Sequence, residues 1–432
     1  MIASEFKKNI MPHFAKYVSS DFLLNSKRKM AEVKRNVQKK PHRIDVFIAG
    51  ADPYSYLLVQ LLPELVSRFN LQLNMHTIRD LQADMFPDYP KWQANSLLDA
   101  DRLARLYHLV SPNQYADVEA NQDNVQIVTE QLLAAENCAD PLNHINEILD
   151  DFWARNLAAY QCNTNAQQQL VENQTLLKQL GHYLPATVHY GGEWYWGVDR
   201  LDHLETRLNS LGLCDQAPTV KYDLQTRHFC SGDKSNVNKK MPVEIFYSAR
   251  SPYSYLGLEQ VVKISQYYDI PLKIRPVLPM MMRNMLVPDT KKMYIFHDTK
   301  RQAKKLGISY GCVADPLGQA VENCYALYTY AASKGKQIQF LLEFGRAVNS
   351  QGIRADREQG LKIIVERCGL KWSEAKTYLQ YCDWQEMVET NINELHTLGL
   401  WGVPCFRHGD TVCWGQDRLW LIEQSINNNN QV

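Results

Sequence analysis

Two hydroxyls with two residues between them, Ser251 and Ser254, stand where a strand pattern gives way to a helix pattern, in Ser251-Pro-Tyr-Ser-Tyr-Leu256. The spacing is that of a Cys-x-x-Cys dithiol with oxygen in place of both sulfurs. At a helix start, backbone N–H groups lack intrahelical partners and the helix dipole is positive. A thiolate is stabilised there. Serine forms no thiolate, but its O–H can donate to a thiolate carried by a ligand, and that charge-assisted bond lowers the ligand thiol's pKa. Ser251 is therefore the candidate catalytic residue. A helix N-cap is the competing use of the same side chain.

The pentapeptide Pro-Tyr-Ser-Tyr-Leu also occurs at Pro53 to Leu57, preceded by Asp52. Trp-Gly-x-Asp-Arg-Leu likewise occurs twice, from Trp196 and from Trp414. Subtracting 199 lays Val243, Ile245 and Tyr247 on Ile44, Val46 and Ile48, and Leu272 and Ile274 on Leu73 and Met75. Near the end the offset is 218 or 219, with Pro404 on Pro185 and Asp417 on Asp199. The chain reads as a tandem duplication whose copies are unequal. A carboxylate at Asp52 would repel a thiolate and raise its pKa. Asp52 could equally be an N-cap.

These residues need a scaffold, and the apolar patterning supplies one. In each half, alternating apolar residues give a strand, a helix follows from the pentapeptide, and a second strand runs over 71–78 or 270–278. Roughly a hundred residues of mainly helical pattern come next. Two short strands around His189-Tyr-Gly-Gly-Glu193 or Arg407-His-Gly-Asp410, and a last helix, close the half. The predicted fold class is α/β: two tandem thioredoxin-like domains, each with an α-helical insertion after the second strand. The expected boundaries are a basic helical arm at 1–41, a degenerate domain at 42–214, a linker at 215–240 and the site-bearing domain at 241–432. In the arm, Phe6, Ile10 and Phe14 share one face and Met30, Val33 and Val37 another, which predicts packing on the first domain. Val403-Pro404 and Leu184-Pro185 fit the proline that starts the third strand of such domains. The residue before that proline can pair with a peptide backbone. Cys405 follows it, with a buried inert role and a redox role both open.

Composition bounds the function. The 432 residues are 45% hydrophobic and 22% charged, with zero net charge, which argues against nucleic-acid or membrane binding by the chain as a whole. Residues 1–40 carry ten Lys or Arg against three Asp or Glu. None of the ten cysteines forms a Cys-x-x-Cys pair. Their scatter, and the lack of an apolar leader or span, lead to an expectation of a cytoplasmic protein without metal.

The second half resembles the kappa-class glutathione transferases and the bacterial 2-hydroxychromene-2-carboxylate isomerases, within the DsbA-like group. The resemblance runs through Phe246 to Leu256, Lys291-Lys-Met-Tyr294 with Asp298 and Arg301, Gly402-Val-Pro404, and Trp414-Gly-Gln-Asp-Arg418, over about 241–425. It implies glutathione as cofactor, with Ser251 activating its thiol. Val403, beside Pro404, would pair with the cysteinyl backbone. Gln416 and Asp417 would hold the γ-glutamyl end, and Lys291 and Asn284 a carboxylate. A small electrophile is the implied substrate, attacked by the borrowed thiolate and then isomerised or conjugated. The family's homodimers imply an intramolecular pseudo-dimer of the two halves here. The alternatives are a thiol–disulfide oxidoreductase-like protein lacking its dithiol, and a non-catalytic binding protein on the same fold.

Overall fold

The computed structural model describes the chain apart from residues 1, 80, 82–84, 113–121, 158–165, 215–216, 236, 382–383 and 429–432. Cys162, Cys382 and the end of the Asn-rich tail lie outside the described residues. The chain divides into two compact units: Asn25–Arg227, and Met1–Leu24 together with His228–Val432.

Two helices, α1 (Ile2–Val18) and α2 (Asp21–Val37), open the chain. The first half continues β1 (Arg43–Ile48), α3 (Pro53–Arg68), β2 (Gln72–Thr77), α4 (Tyr89–Tyr107), α5 (Gln122–Ala135), α6 (Pro141–Trp153), α7 (Ala166–Gln179), β3 (Thr187–Tyr190), β4 (Glu193–Trp196) and α8 (Leu201–Asn209). The second half runs β5 (Val243–Tyr247), α9 (Pro252–Tyr268), β6 (Leu272–Pro276), α10 (Asp289–Lys305), α11 (Gln319–Ser333), α12 (Gln337–Ser350), α13 (Glu358–Arg367), α14 (Trp372–Tyr381), α15 (Trp384–Thr397), β7 (Cys405–His408), β8 (Thr411–Trp414) and α16 (Leu419–Asn428). The two sheets have the orders β2-β1-β3-β4 and β6-β5-β7-β8. In each, one parallel pair is flanked by antiparallel pairs, a mixed α/β arrangement consistent with a thioredoxin-like fold.

The alternating residues that predict the central strands fill the cores: Ile44, Val46 and Ile48 in one, Val243, Ile245 and Tyr247 in the other, all essentially inaccessible. Burying each such side chain stabilises its unit by about 1.5–3 kcal/mol. Strand register also sharpens the repeat. Asp45 pairs with His189 and Glu244 with Arg407, which fixes a single offset of 218 for the closing hairpins.

The N-terminal helices depart from expectation. Phe6, Ile10, Phe14, Met30, Val33 and Val37 are exposed rather than packed on the first domain. Charged side chains, with the buried Pro12 of α1 against Gly352, do the docking. Glu5 meets Arg354 (2.9 Å) and Lys8 meets Asp356 (3.3 Å), which fastens α1 to the second half. Arg28 makes a two-pronged pair with Glu193 at 2.7 and 2.8 Å, which fastens α2 to the first. The predicted linker is tied down by backbone N–H groups. Lys221 and Tyr222 donate to the buried Glu205 at 3.0 and 2.9 Å, and Cys230 donates to Glu423 at 2.8 Å. Among the described residues, no helix is long and apolar enough to cross a membrane, and no group of His, Cys, Asp or Glu is disposed to hold a metal.

Candidate active site

Ser251 is the N-cap of α9. Its extended backbone (φ −74°, ψ 118°) turns the chain from β5 into the helix, and Pro252 takes the first helical position, where no N–H is needed. Its Oγ accepts the Ser254 N–H at 3.1 Å and lies 3.4 Å from the Val403 carbonyl, to which it donates. The cap and the candidate catalytic group are thus the same atom. Ser254 is fully buried, and its Oγ accepts the Ser248 N–H at 3.3 Å. The second hydroxyl of the pair is therefore a structural bond that holds the turn.

Val403–Pro404 is a cis peptide, and Val403 is partly exposed. The Pro404 carbonyl accepts the Gly415 N–H at 2.9 Å, which ties this loop to the Gly-Gln-Asp turn. Gly257, one turn into α9, is where the loop comes closest. A β-carbon there would meet the Phe406 ring at 2.8 Å and atoms of Gln416 and Pro404 at 3.5 Å. Gly257→Leu is expected to destabilise the second half by about 1–3 kcal/mol through overpacking and to push the Pro404 loop off the helix start. Thermal melts would show the loss, and unchanged stability would count against this packing.

Gln416 is buried. Its Oε1 accepts Gln260 Nε2 at 2.7 Å and its amide nitrogen donates to Asp417. It orients Asp417, which is partly exposed, rather than presenting its own amide. Ser251, Val403, Pro404, Gln416 and Asp417 thus form one cluster. Asn284 and Lys291 sit on the segment between β6 and α10. Asn284 is exposed in a left-handed conformation (φ 59°), and Lys291 is partly buried in the first turn of α10. That helix is docked on α9 by Tyr253, whose hydroxyl donates to Asp298 at 2.6 Å, with Arg301 on the same carboxylate at 2.7 Å. Tyr253 is therefore a structural anchor.

One group escaped the sequence patterns. Arg283 Nη2 donates to the Trp401 carbonyl at 2.7 Å, and its Nε and Nη1 are buried without a hydrogen-bond partner. Burial lowers its pKa below the usual guanidinium range. This partly buried, incompletely bonded cation lies beside the cis-proline loop. Nothing in residue spacing signals it, because burial is a property of the fold. Cys405 is inaccessible, donates to the Gly402 carbonyl at 3.0 Å, and has its thiol pushed well up by burial. Such a thiol is inert.

The first half differs at most of the corresponding points. Asp52 is the N-cap of α3, accepting the Ser55 N–H at 2.8 Å and its hydroxyl at 2.7 Å. Burial pushes its carboxyl up to about 6 against these bonds. The alignment of Pro185 with Pro404 is corrected by hydrogen bonding. The Gly197 N–H, equivalent to that of Gly415, is accepted at 2.7 Å by Ala186, so Ala186 holds the place of Pro404. Pro185 then stands where Val403 does and has no N–H to offer a peptide. Val403–Pro404 is the only cis bond among the described residues. Leu58 occupies the Gly257 position and is fully buried. Met85 and Trp92 replace Asn284 and Lys291, and Trp92 packs on Phe86 and Tyr54 with centroids 5.1 and 6.1 Å away. Asp199 is kept, but Gln225 donates to its carboxylate.

Comparison with known proteins matches less than half of the chain in each case below. Residues 242–427 match the family model of the DSBA-like thioredoxin domain. The 2-hydroxychromene-2-carboxylate isomerase of Pseudomonas putida is 22% identical over 195 residues, which is 43% of this chain and 94% of that protein. A solved 2-hydroxychromene-2-carboxylate isomerase covers 44% of this chain and 96% of its own, at 22% identity and TM-score 0.39. A putative protein disulfide isomerase from Nitrosomonas europaea covers 43% and 97%, at 14% identity and TM-score 0.34.

Proposed function

Taking residues 242–427 as a DsbA-like thioredoxin domain, we propose that the second half is a glutathione-dependent isomerase or transferase acting on a small electrophile. The observation that carries this reading is the Ser251 hydroxyl, held at the start of α9 and 3.4 Å from the carbonyl of Val403. A cysteinyl peptide paired with Val403 as an added strand brings its sulfur to that hydroxyl. Glutathione, when bound, supplies the nucleophilic sulfur. The protein's own groups do the rest. With the peptide bound, the single Ser251 O–H turns from the Val403 carbonyl to the sulfur, leaving that carbonyl to the peptide, and the α9 dipole and Arg283 add positive potential. Asp417, steadied by Gln416, takes the γ-glutamyl ammonium, while Lys291 and Asn284 take a carboxylate. The tandem copy is, in the same proposal, a duplicate that has lost its ligand site, and it stands in for a partner subunit.

Titration calorimetry of the whole chain with reduced glutathione tests the assignment. We expect one site per chain. No heat of binding would leave a fold used only for interaction, and two sites would overturn the loss of the first. A monomer in sedimentation supports the pseudo-dimer, and a homodimer counts against it.

A further inference from the structure

In the first half β2 is the outer strand of its sheet, with β1 on one side only. The Gln72 N–H bonds the His42 carbonyl and the Ile78 N–H that of Ile48, each at 2.8 Å. Main-chain groups alternate along a strand. Gln72, Asn74 and His76 therefore turn theirs toward β1, and Leu73, Met75 and Thr77 turn theirs away. Thr77 is capped: its N–H bonds Glu136 and its carbonyl accepts Asn173 Nδ2 at 3.1 Å. Among the described residues, nothing bonds the outward N–H and C=O of Leu73 and Met75. Both residues line an open cleft of about 580 Å³.

The second half blunts the same edge. At an offset of 199 its outward positions are Leu272, Ile274 and Pro276. Pro276 has no N–H, and its carbonyl accepts Asn391 Nδ2 at 3.0 Å. The Ile274 carbonyl accepts the Tyr328 hydroxyl at 3.3 Å. Proline on an outer strand obstructs pairing with a further strand. In the first half Thr77 stands for Pro276 and Thr129 for Tyr328. The Thr129 hydroxyl turns back to the Val125 carbonyl of its own helix at 2.6 Å, so the Met75 carbonyl is left open. An open edge of this kind can take an added strand.

The charge around the cleft selects the occupant. Glu136 and Glu172 line it, and among the described residues no Lys or Arg does. Neutral groups hold the Glu136 carboxylate: the Thr77 N–H, Gln169 Nε2 at 2.6 Å and Asn173 Nδ2 at 3.2 Å. Glu172 is exposed and accepts Gln168 Nε2 at 2.9 Å. Among the described residues, neither carboxylate has a cation as partner. We propose that the open edge of β2 is a docking site for an extended, basic peptide segment of a partner protein. The segment adds as a strand beside Leu73 and Met75, and one of its Lys or Arg side chains reaches Glu136 in a charge-assisted bond. The stretch from Leu73 to His76 accommodates about four residues of strand, about 13 Å.

Fluorescence anisotropy of the whole chain with a labelled, end-capped heptapeptide of alternating lysine and valine tests this. Saturable binding is expected, at least about tenfold tighter than that of the glutamate–valine counterpart. Hydrogen exchange with the lysine peptide bound should slow the amides of β2 and leave those of β6 unchanged. Glu136→Gln should weaken binding about tenfold. Leu73→Pro, which removes one edge N–H at a position where an outer strand tolerates proline, should weaken it about as much. Glu172→Gln alters an exposed side chain; it should weaken binding about threefold and carries the test if the other variants do not fold. No binding up to about 1 mM, equal binding of the two peptides, unslowed β2 amides, or undiminished binding by the folded variants would overturn the site.

Discussion

A Ser251→Asp chain is expected to stay folded and to lose about 100-fold or more in kcat/KM on a glutathione-accepting electrophile at neutral pH. Aspartate equals serine as an N-cap, and Asp52 performs that task in this same chain. What aspartate cannot do is donate to a thiolate. Losing a hydrogen bond to a charged partner costs about 1.5–3 kcal/mol, and the like charge adds to that. Ser251→Ala removes the donor without adding charge, so its rate loss should be smaller, about tenfold, and its stability lower by about 1 kcal/mol from the missing cap. The pair separates the two uses of Ser251: alanine damages both, aspartate only the chemistry. Thiolate absorbance of bound glutathione should shift to higher pH in both variants. Full activity in the aspartate variant would remove Ser251 from the mechanism.

The second large effect concerns Asp52→Ser. Burial raises the Asp52 carboxyl from 3.8 to about 6, which corresponds to at most about 3 kcal/mol between its two protonation states. A carboxyl with a raised folded-state pKa keeps its proton in the fold after the unfolded chain has released it. Its contribution is therefore fully present below about pH 4, falls as pH rises to about 6, and is flat above. At neutral pH the buried carboxylate is a burden. Asp52→Ser keeps an N-cap and removes the charge, so it should raise the stability of the first half by up to about 3 kcal/mol at pH 7 and erase this slope. Urea unfolding as a function of pH, wild type against variant, measures it. Parallel curves would show that Asp52 is better solvated than its 8% exposure implies.

Much of the fold was legible because local chemistry repeats. Alternation at Ile44, Val46 and Ile48 and at Val243, Ile245 and Tyr247 marks central strands, and the 199 offset reappears as register, with Ile44 facing Leu73 and Val243 facing Leu272. Ser251 and Val403 could be paired in advance because a strand–helix turn and a proline loop meet in a known way. Three things were hidden. An amphipathic period shows that a helix has two faces, not which one docks, and on α1 it is Glu5, Lys8 and Pro12 that dock. A proline can be aligned by letter yet sit one place out of register, as Pro185 does. Arg283 and Gln225 act through contacts across long sequence separations, which spacing does not encode.

The glycine one turn into α9 has a consequence for anyone wishing to re-arm the first half. Installing serine at Asp52 would give the helix start its donor and nothing more. Leu58 would still fill the space that Gly257 leaves open to the proline loop, and Pro185 would still withhold the N–H that a peptide needs. Each repair alone changes packing without creating a ligand site, so single steps bring no gain in activity. On the proposed reading the change is a ratchet, and a second site requires Leu58, Pro185 and Asp52, with Met85 and Trp92, to be exchanged together.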